Sequence, residues 1–131
     1  MLRRPLARVL EAVVRSRRRT IAAVQAAYYV PTAVVPFVSR DAFERVTGPK
    51  TEWWLVLTVS TLVGAAAGTL GVSARSDPGP EMAVLGIGCS AGMAVIDIVY
   101  VTRRRISPVY LIDAAVQLPL AAAWLMAMGN D

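Results

Sequence analysis

Histidine is absent from the 131-residue sequence. Its absence removes the commonest general base, the Ser–His and Cys–His nucleophile arrangements, and every histidine-ligated metal site. One cysteine, Cys89, excludes an internal disulfide and reads as packing filler. Charge is scarce, at 18% of residues, against roughly a quarter in soluble domains. Lysine is nearly missing: Lys50 is the one basic residue that is not arginine. Apolar residues are abundant instead, at 56%, with mean hydropathy +0.52. That balance excludes a disordered chain, a collagen and a disulfide scaffold. It also exceeds what a soluble domain this short can bury.

The apolar residues come in runs. Residues 20–39 and 53–74 contain no Asp, Glu, Lys or Arg; 82–102 contains only Asp97, and 106–130 only Asp113. A helix needs ~20 apolar residues to cross the hydrocarbon core. Lipid admits only helices or closed barrels, and these runs do not alternate as barrel strands do. The sequence therefore predicts an all-α fold, a four-transmembrane-helix bundle with spans at 20–38, 53–72, 82–101 and 108–128. Gly48-Pro49 and Asp77-Pro78-Gly79-Pro80 punctuate the connections,. Ser107-Pro108 reads as a helix start. Pro31, Pro36 and Pro119 fall inside spans and imply kinks. Trp53, Trp54 and Trp124 lie near span ends, as interfacial aromatics do.

Residues 1–19 form a second unit beside the 20–131 transmembrane domain. Leu2, Leu6, Val9, Leu10 and Val13 recur at helical spacing, with Arg4, Arg8, Glu11 and Arg15 mostly opposite. This predicts a basic amphipathic helix on the membrane surface, with anionic lipid as partner through its arginines and no role for nucleic acid. With both termini cytoplasmic, eight basic residues lie inside and six outside. The arginines before the first span favour that orientation, in a multi-pass protein of the cell membrane.

Ionisable groups within spans are costly and usually face the bundle interior. Asp97 lies six residues before Arg103 and Asp113 six after Ser107, so both sit ~9 Å below one turn. Glu52, Trp54, Tyr100, Tyr110 and the Arg103-Arg104-Arg105 triplet belong to the same end. Polar stripes through Gln25 and Tyr29, Thr58 and Thr61, Ser90 and Asp97, and Asp113, Gln117 and Trp124 predict an inward polar cleft. Two carboxylates this close in low dielectric should share a proton or hold a cation. Structural roles stand beside these: Asp97 could pair with Arg104 or bond Tyr110, and Asp113 could bond Tyr100. Gly64-Ala-Ala-Ala-Gly68 and Gly88-Cys-Ser-Ala-Gly92 predict close helix approach, within the chain or in a homodimer. No metal or other cofactor is expected.

The stretches Phe43-Glu-Arg-Val-Thr-Gly-Pro-Lys-Thr-Glu-Trp-Trp54 and Asp97-Ile-Val-Tyr-Val-Thr-Arg-Arg-Arg-Ile-Ser-Pro-Val-Tyr-Leu-Ile-Asp113 resemble those of small bacterial four-helix membrane proteins. The layout is loosely similar to DoxX-like proteins and, more distantly, to the EXPERA family, where acids line a pocket between helices. The first resemblance implies a fold and no activity; the last is a fold-level analogy. Three functions follow. A binding protein would hold a small lipophilic or cationic ligand, or a lipid, among Asp97, Asp113, Tyr100, Tyr110, Glu52, Trp54 and Gln117. A small proton-coupled transporter would act as a dimer. A structural or accessory subunit would use the polar stripes for packing alone. No catalytic residue is assigned.

Overall fold

The computed structural model describes residues 3–129. Leu2, expected on the amphipathic stripe, and Asn130, at the end of the last run, lie outside that range. The chain forms α1 (Arg3–Val38), α2 (Arg40–Thr47), α3 (Trp53–Ser73), α4 (Pro80–Thr102) and α5 (Tyr110–Met128), with no strand among the described residues. Four of these, α1, α3, α4 and α5, are long and apolar enough to cross a membrane.

Two antiparallel hairpins make the bundle. α1 packs along α3, and α4 along α5; α1 touches α5 and α4 lightly, and α3 barely meets α4. Small residues allow the first contact: Ala22, Ala26, Tyr29 and Ala33 repeat along α1 against Val63, Ala67 and Leu70. A Cβ on Gly64 would stand 3.6 Å from Ala33, and one on Gly71 3.8 Å from Ala26. The outer faces are apolar, with Val84 73%, Val72 72% and Met126 69% exposed. An apolar exterior around small and polar residues suits acyl chains rather than water.

Several details depart from expectation. α1 runs unbroken through residue 20, so no joint separates the arginine-rich segment from the first span. Residues 3–30 of α1 contain only one proline, Pro5, and no glycine that would stop the helix. At 1.5 Å per residue α1 is roughly 54 Å long, well beyond a ~30 Å hydrocarbon core. Arg19 Nε donates to the Ala74 carbonyl at 2.9 Å, and Arg15 approaches Asp77 at 3.5 Å. The α3–α4 connection thus braces α1 beyond its span.

The polar segment after Val38 also folds, as α2. Ser39 Oγ accepts from Ala42 N at 3.1 Å, and Gly48 ends the helix at φ 90°,. Pro31, Pro36 and Pro119 are accommodated inside helices. α5 begins two residues later than expected: Tyr110 N, Leu111 N and Ile112 N donate to carbonyls three residues back, forming a tighter first turn,.

α4 stops on an unusual residue. Arg105 N donates to Tyr100 O and Arg104 N to Val101 O, the paired bonds of a Schellman end,. Arg104 occupies its left-handed position at φ 57°. A side chain there costs roughly 1–2 kcal/mol. Arg104→Gly is therefore expected to stabilise the protein by about 1 kcal/mol, read as a higher unfolding temperature in detergent; Arg105→Gly lacks that benefit.

Candidate functional site: an acid pair at the hairpin seam

The seam between the hairpins is hydrogen-bonded, because α1 meets α4 and α5 with polar side chains. Gln25 Nε2 donates to Tyr29 Oη and to the Gly86 carbonyl, both at 3.1 Å. Trp124 Nε1 donates to Gln25 Oε1 at 2.7 Å, and Tyr29 Oη to Gln117 Oε1 at 2.8 Å. Gln117 Nε2 reaches Met93 Sδ at 3.3 Å and Asp113 Oδ1 at 3.3 Å. Tyr28 Oη also donates to Asp113 Oδ1. A continuous chain of polar groups thus runs from Trp124 to Asp113. Trp124 is fully buried. This corrects the interfacial position expected from its place near a span end: Gly86 leaves room for the indole, and Gln25 satisfies its N–H.

Asp97 completes the cluster from α4. It is 5% exposed, and its carboxyl lies within hydrogen-bonding reach of that of Asp113. Its Oδ2 is buried and accepts no hydrogen bond among the described residues. The neighbouring donors are committed elsewhere: Tyr28 and Gln117 both serve Asp113. Ionised carboxylates are acceptors only, so their contact calls for a proton between them or a cation beside them. Among the described residues the arginine triplet forms no ion pair with either acid.

Of the other residues expected at the site, Gln117 belongs to the cluster. Glu52 is exposed and accepts from Trp54 Nε1 at 2.7 Å, while Trp54 is 63% exposed. Tyr100 is also exposed, at 42%. Tyr110 lies under Lys50, whose Nζ is 5.2 Å from the ring centroid. None of these four bonds either acid among the described residues. Tyr28 is the residue missed by sequence reasoning. It lies beside Tyr29 on α1, but nothing in the sequence ties it to Asp113, 85 positions away.

α2 covers the same end. Arg40 lies 4.8 Å from the Trp53 ring centroid, donates to Glu44 Oε1 at 2.9 Å, and bonds the Lys50 carbonyl. Arg40 and the Lys50 backbone N–H hold the Glu44 carboxyl below the usual glutamate range. A depressed value means that this support is present at neutral pH and lost as pH falls through it. The Trp53 fluorescence, taken as wild type minus Trp53→Phe, should therefore shift as pH falls through the depressed Glu44 value, and Glu44→Gln should show the shifted signal already at neutral pH,.

Two open hollows, of about 620 and 380 Å3, lie away from the acid pair: one between α3 and α4, one against Asp41 and Glu44. Among the described residues no group of three or more Asp, Glu or Cys could hold a metal ion. Gly88 and Gly92 have nothing within 4 Å of a Cβ position, so these two glycines of the second motif make no close helix contact within the chain. No family model matches this chain, and no curated protein and no solved structure is similar to it.

Proposed function

We propose that the chain is a small multi-pass membrane protein that binds and releases a proton at Asp97–Asp113, and that this exchange is coupled to movement of one hairpin against the other. One observation carries the reading: Asp97 Oδ2 is buried without a hydrogen-bond donor beside a second carboxyl group. A proton supplies that donor. Asp113 is also the end of the seam chain, through Tyr28 and Gln117. Ionising the pair places charge where α1 joins α5 and favours separation there. The remaining contacts between hairpins are few, which suits rocking of one packed pair on the other.

Spin labels on Leu62→Cys of α3 and Ile112→Cys of α5, in a Cys89→Ser background, test the coupling. Both positions are exposed. The inter-label distances should change between acid and alkaline pH, and Asp97→Asn should abolish the change. One pH-independent distribution in both proteins contradicts the reading.

A second reading has the same oxygen receive a small lipophilic cation in place of the proton. Tetraphenylphosphonium is a suitable probe: binding that is lost in Asp97→Asn favours this reading. In either case, the exposed Leu6, Val9, Leu10 and Val13 beside Arg3, Arg4 and Arg8 support contact of the first helix with anionic headgroups on the cytoplasmic side,.

A further inference from the structure

We propose that the groove between α3 and α4 is a lipid site, holding one phospholipid with an amine-bearing, zwitterionic headgroup. The groove exists because consecutive helices α3 and α4 scarcely touch. It is an open hollow of about 620 Å3 on the outer face of the bundle. Its walls change character along their length. Ala65, Gly68, Thr69 and Val72, all exposed on the outer face, line the part toward the bilayer middle; Ser76, Asp77 and Glu81 line the mouth. From Ala65, near the middle of α3, to the helix end at Ser73 is roughly 12 Å, somewhat less than one leaflet of a ~30 Å hydrocarbon core. The hollow is thus mainly apolar at acyl depth, where the Thr69 hydroxyl is turned onto the Ala65 carbonyl, and mainly polar at headgroup depth, the division a lipid has.

The mouth is acidic, and two arginines of α1 stand beside it. Asp77 and Glu81 offer carboxylates to an ammonium, and Glu81 has no ion pair among the described residues. Arg15, 3.5 Å from Asp77, and Arg19, bonded to the Ala74 carbonyl, offer guanidinium groups to a phosphate,. The Arg15–Asp77 pair is more than half exposed on both sides, so it opens at little cost. A purely anionic headgroup would leave the carboxylates opposed to it. A second copy of the chain would bring another Arg15, Arg19 and Arg75 to the same edge, which like-charge repulsion opposes. Gly68 leaves the groove floor free: a Cβ there would meet nothing within 4 Å.

Native mass spectrometry of the full chain with equimolar phosphatidylethanolamine and phosphatidylglycerol tests the assignment. Ethanolamine-lipid adducts should exceed glycerol-lipid adducts by about threefold to tenfold, the range of one or two exposed charge contacts. Asp77→Asn with Glu81→Gln should bring that ratio to about one. Gly68→Leu, and independently Ala65→Leu, should fill the groove and remove both adducts while helical circular dichroism is unchanged. Equal adducts in the wild type, preference for the glycerol lipid, or adducts unaffected by both fillers would overturn the proposal. So would a stable dimer that Gly68→Leu dissolves, since the groove would then be a protein contact.

Discussion

Gly86→Ala is expected to disrupt the bundle more than any other change of one methyl group. A Cβ on Gly86 would lie 2.1 Å from Trp124 Nε1 and 2.6 Å from Trp124 Cδ1. The indole cannot simply swing aside, because its N–H is held by Gln25 Oε1 at 2.7 Å and the ring is fully buried. Gln25 in turn bonds the Gly86 carbonyl and Tyr29. Moving Trp124 therefore breaks the seam as well as the α4–α5 contact. Overpacking alone costs about 1–3 kcal/mol, and each buried polar group left without a partner about 1–3 kcal/mol more. The variant should denature in detergent at markedly milder conditions than the wild type. Gly88→Ala, two residues along and in open space, is the control. It should be neutral, or more stable by up to about 1 kcal/mol through helix propensity. Equal behaviour of the two variants would mean that α4 and α5 do not pack through Gly86.

The second large effect separates the two acids. Asp97→Leu removes a buried oxygen that has no donor. The folded protein should therefore hold or gain stability, by about 1–3 kcal/mol at most. Asp113→Leu removes the acceptor for Tyr28 and for Gln117. The half-buried Tyr28 hydroxyl then loses its acceptor and the Gln117 amide keeps only Met93 Sδ, and stability should fall by about 1–3 kcal/mol,. Proton exchange should be lost in both. Two acids with the same residue type and the same removal, but opposite stability effects, are the signature of one carboxyl held by the fold and one held for function. If Asp97→Leu were the more damaging, Asp97 would be structural glue.

The bundle was legible because charge-free runs of membrane-spanning length need no partner information: three of the four spans end within two residues of their expected limits. The depth of Asp97 and Asp113 was legible for the same reason, since six residues on either side of one turn fix it. What could not be read is pairing between helices. Tyr28 reaches Asp113, and Gln25 reaches Trp124, through a contact of α1 with the α4–α5 hairpin that no local pattern encodes. The glycine spacing does not by itself say which glycines pack within the chain. Gly88 and Gly92 match a close-packing motif yet face outward, while Gly86, outside that motif, carries the contact. α2 was hidden by its polarity. Its cap at Ser39 and its stop at Gly48 are ordinary signals, but an eight-residue amphipathic segment between two spans looks like a connection until it packs on Trp53.

Infrared spectroscopy of the carboxylic acid carbonyl band, in membrane-embedded wild type and in Asp97→Asn and Asp113→Asn, is the most direct test. A proton shared by the pair gives the wild type a protonated-carboxyl signal that exchanges with pH and disappears in each single variant. A band that persists unchanged in Asp97→Asn, or no protonated carboxyl at any pH where the protein is folded, would contradict a proton seated between the two aspartates.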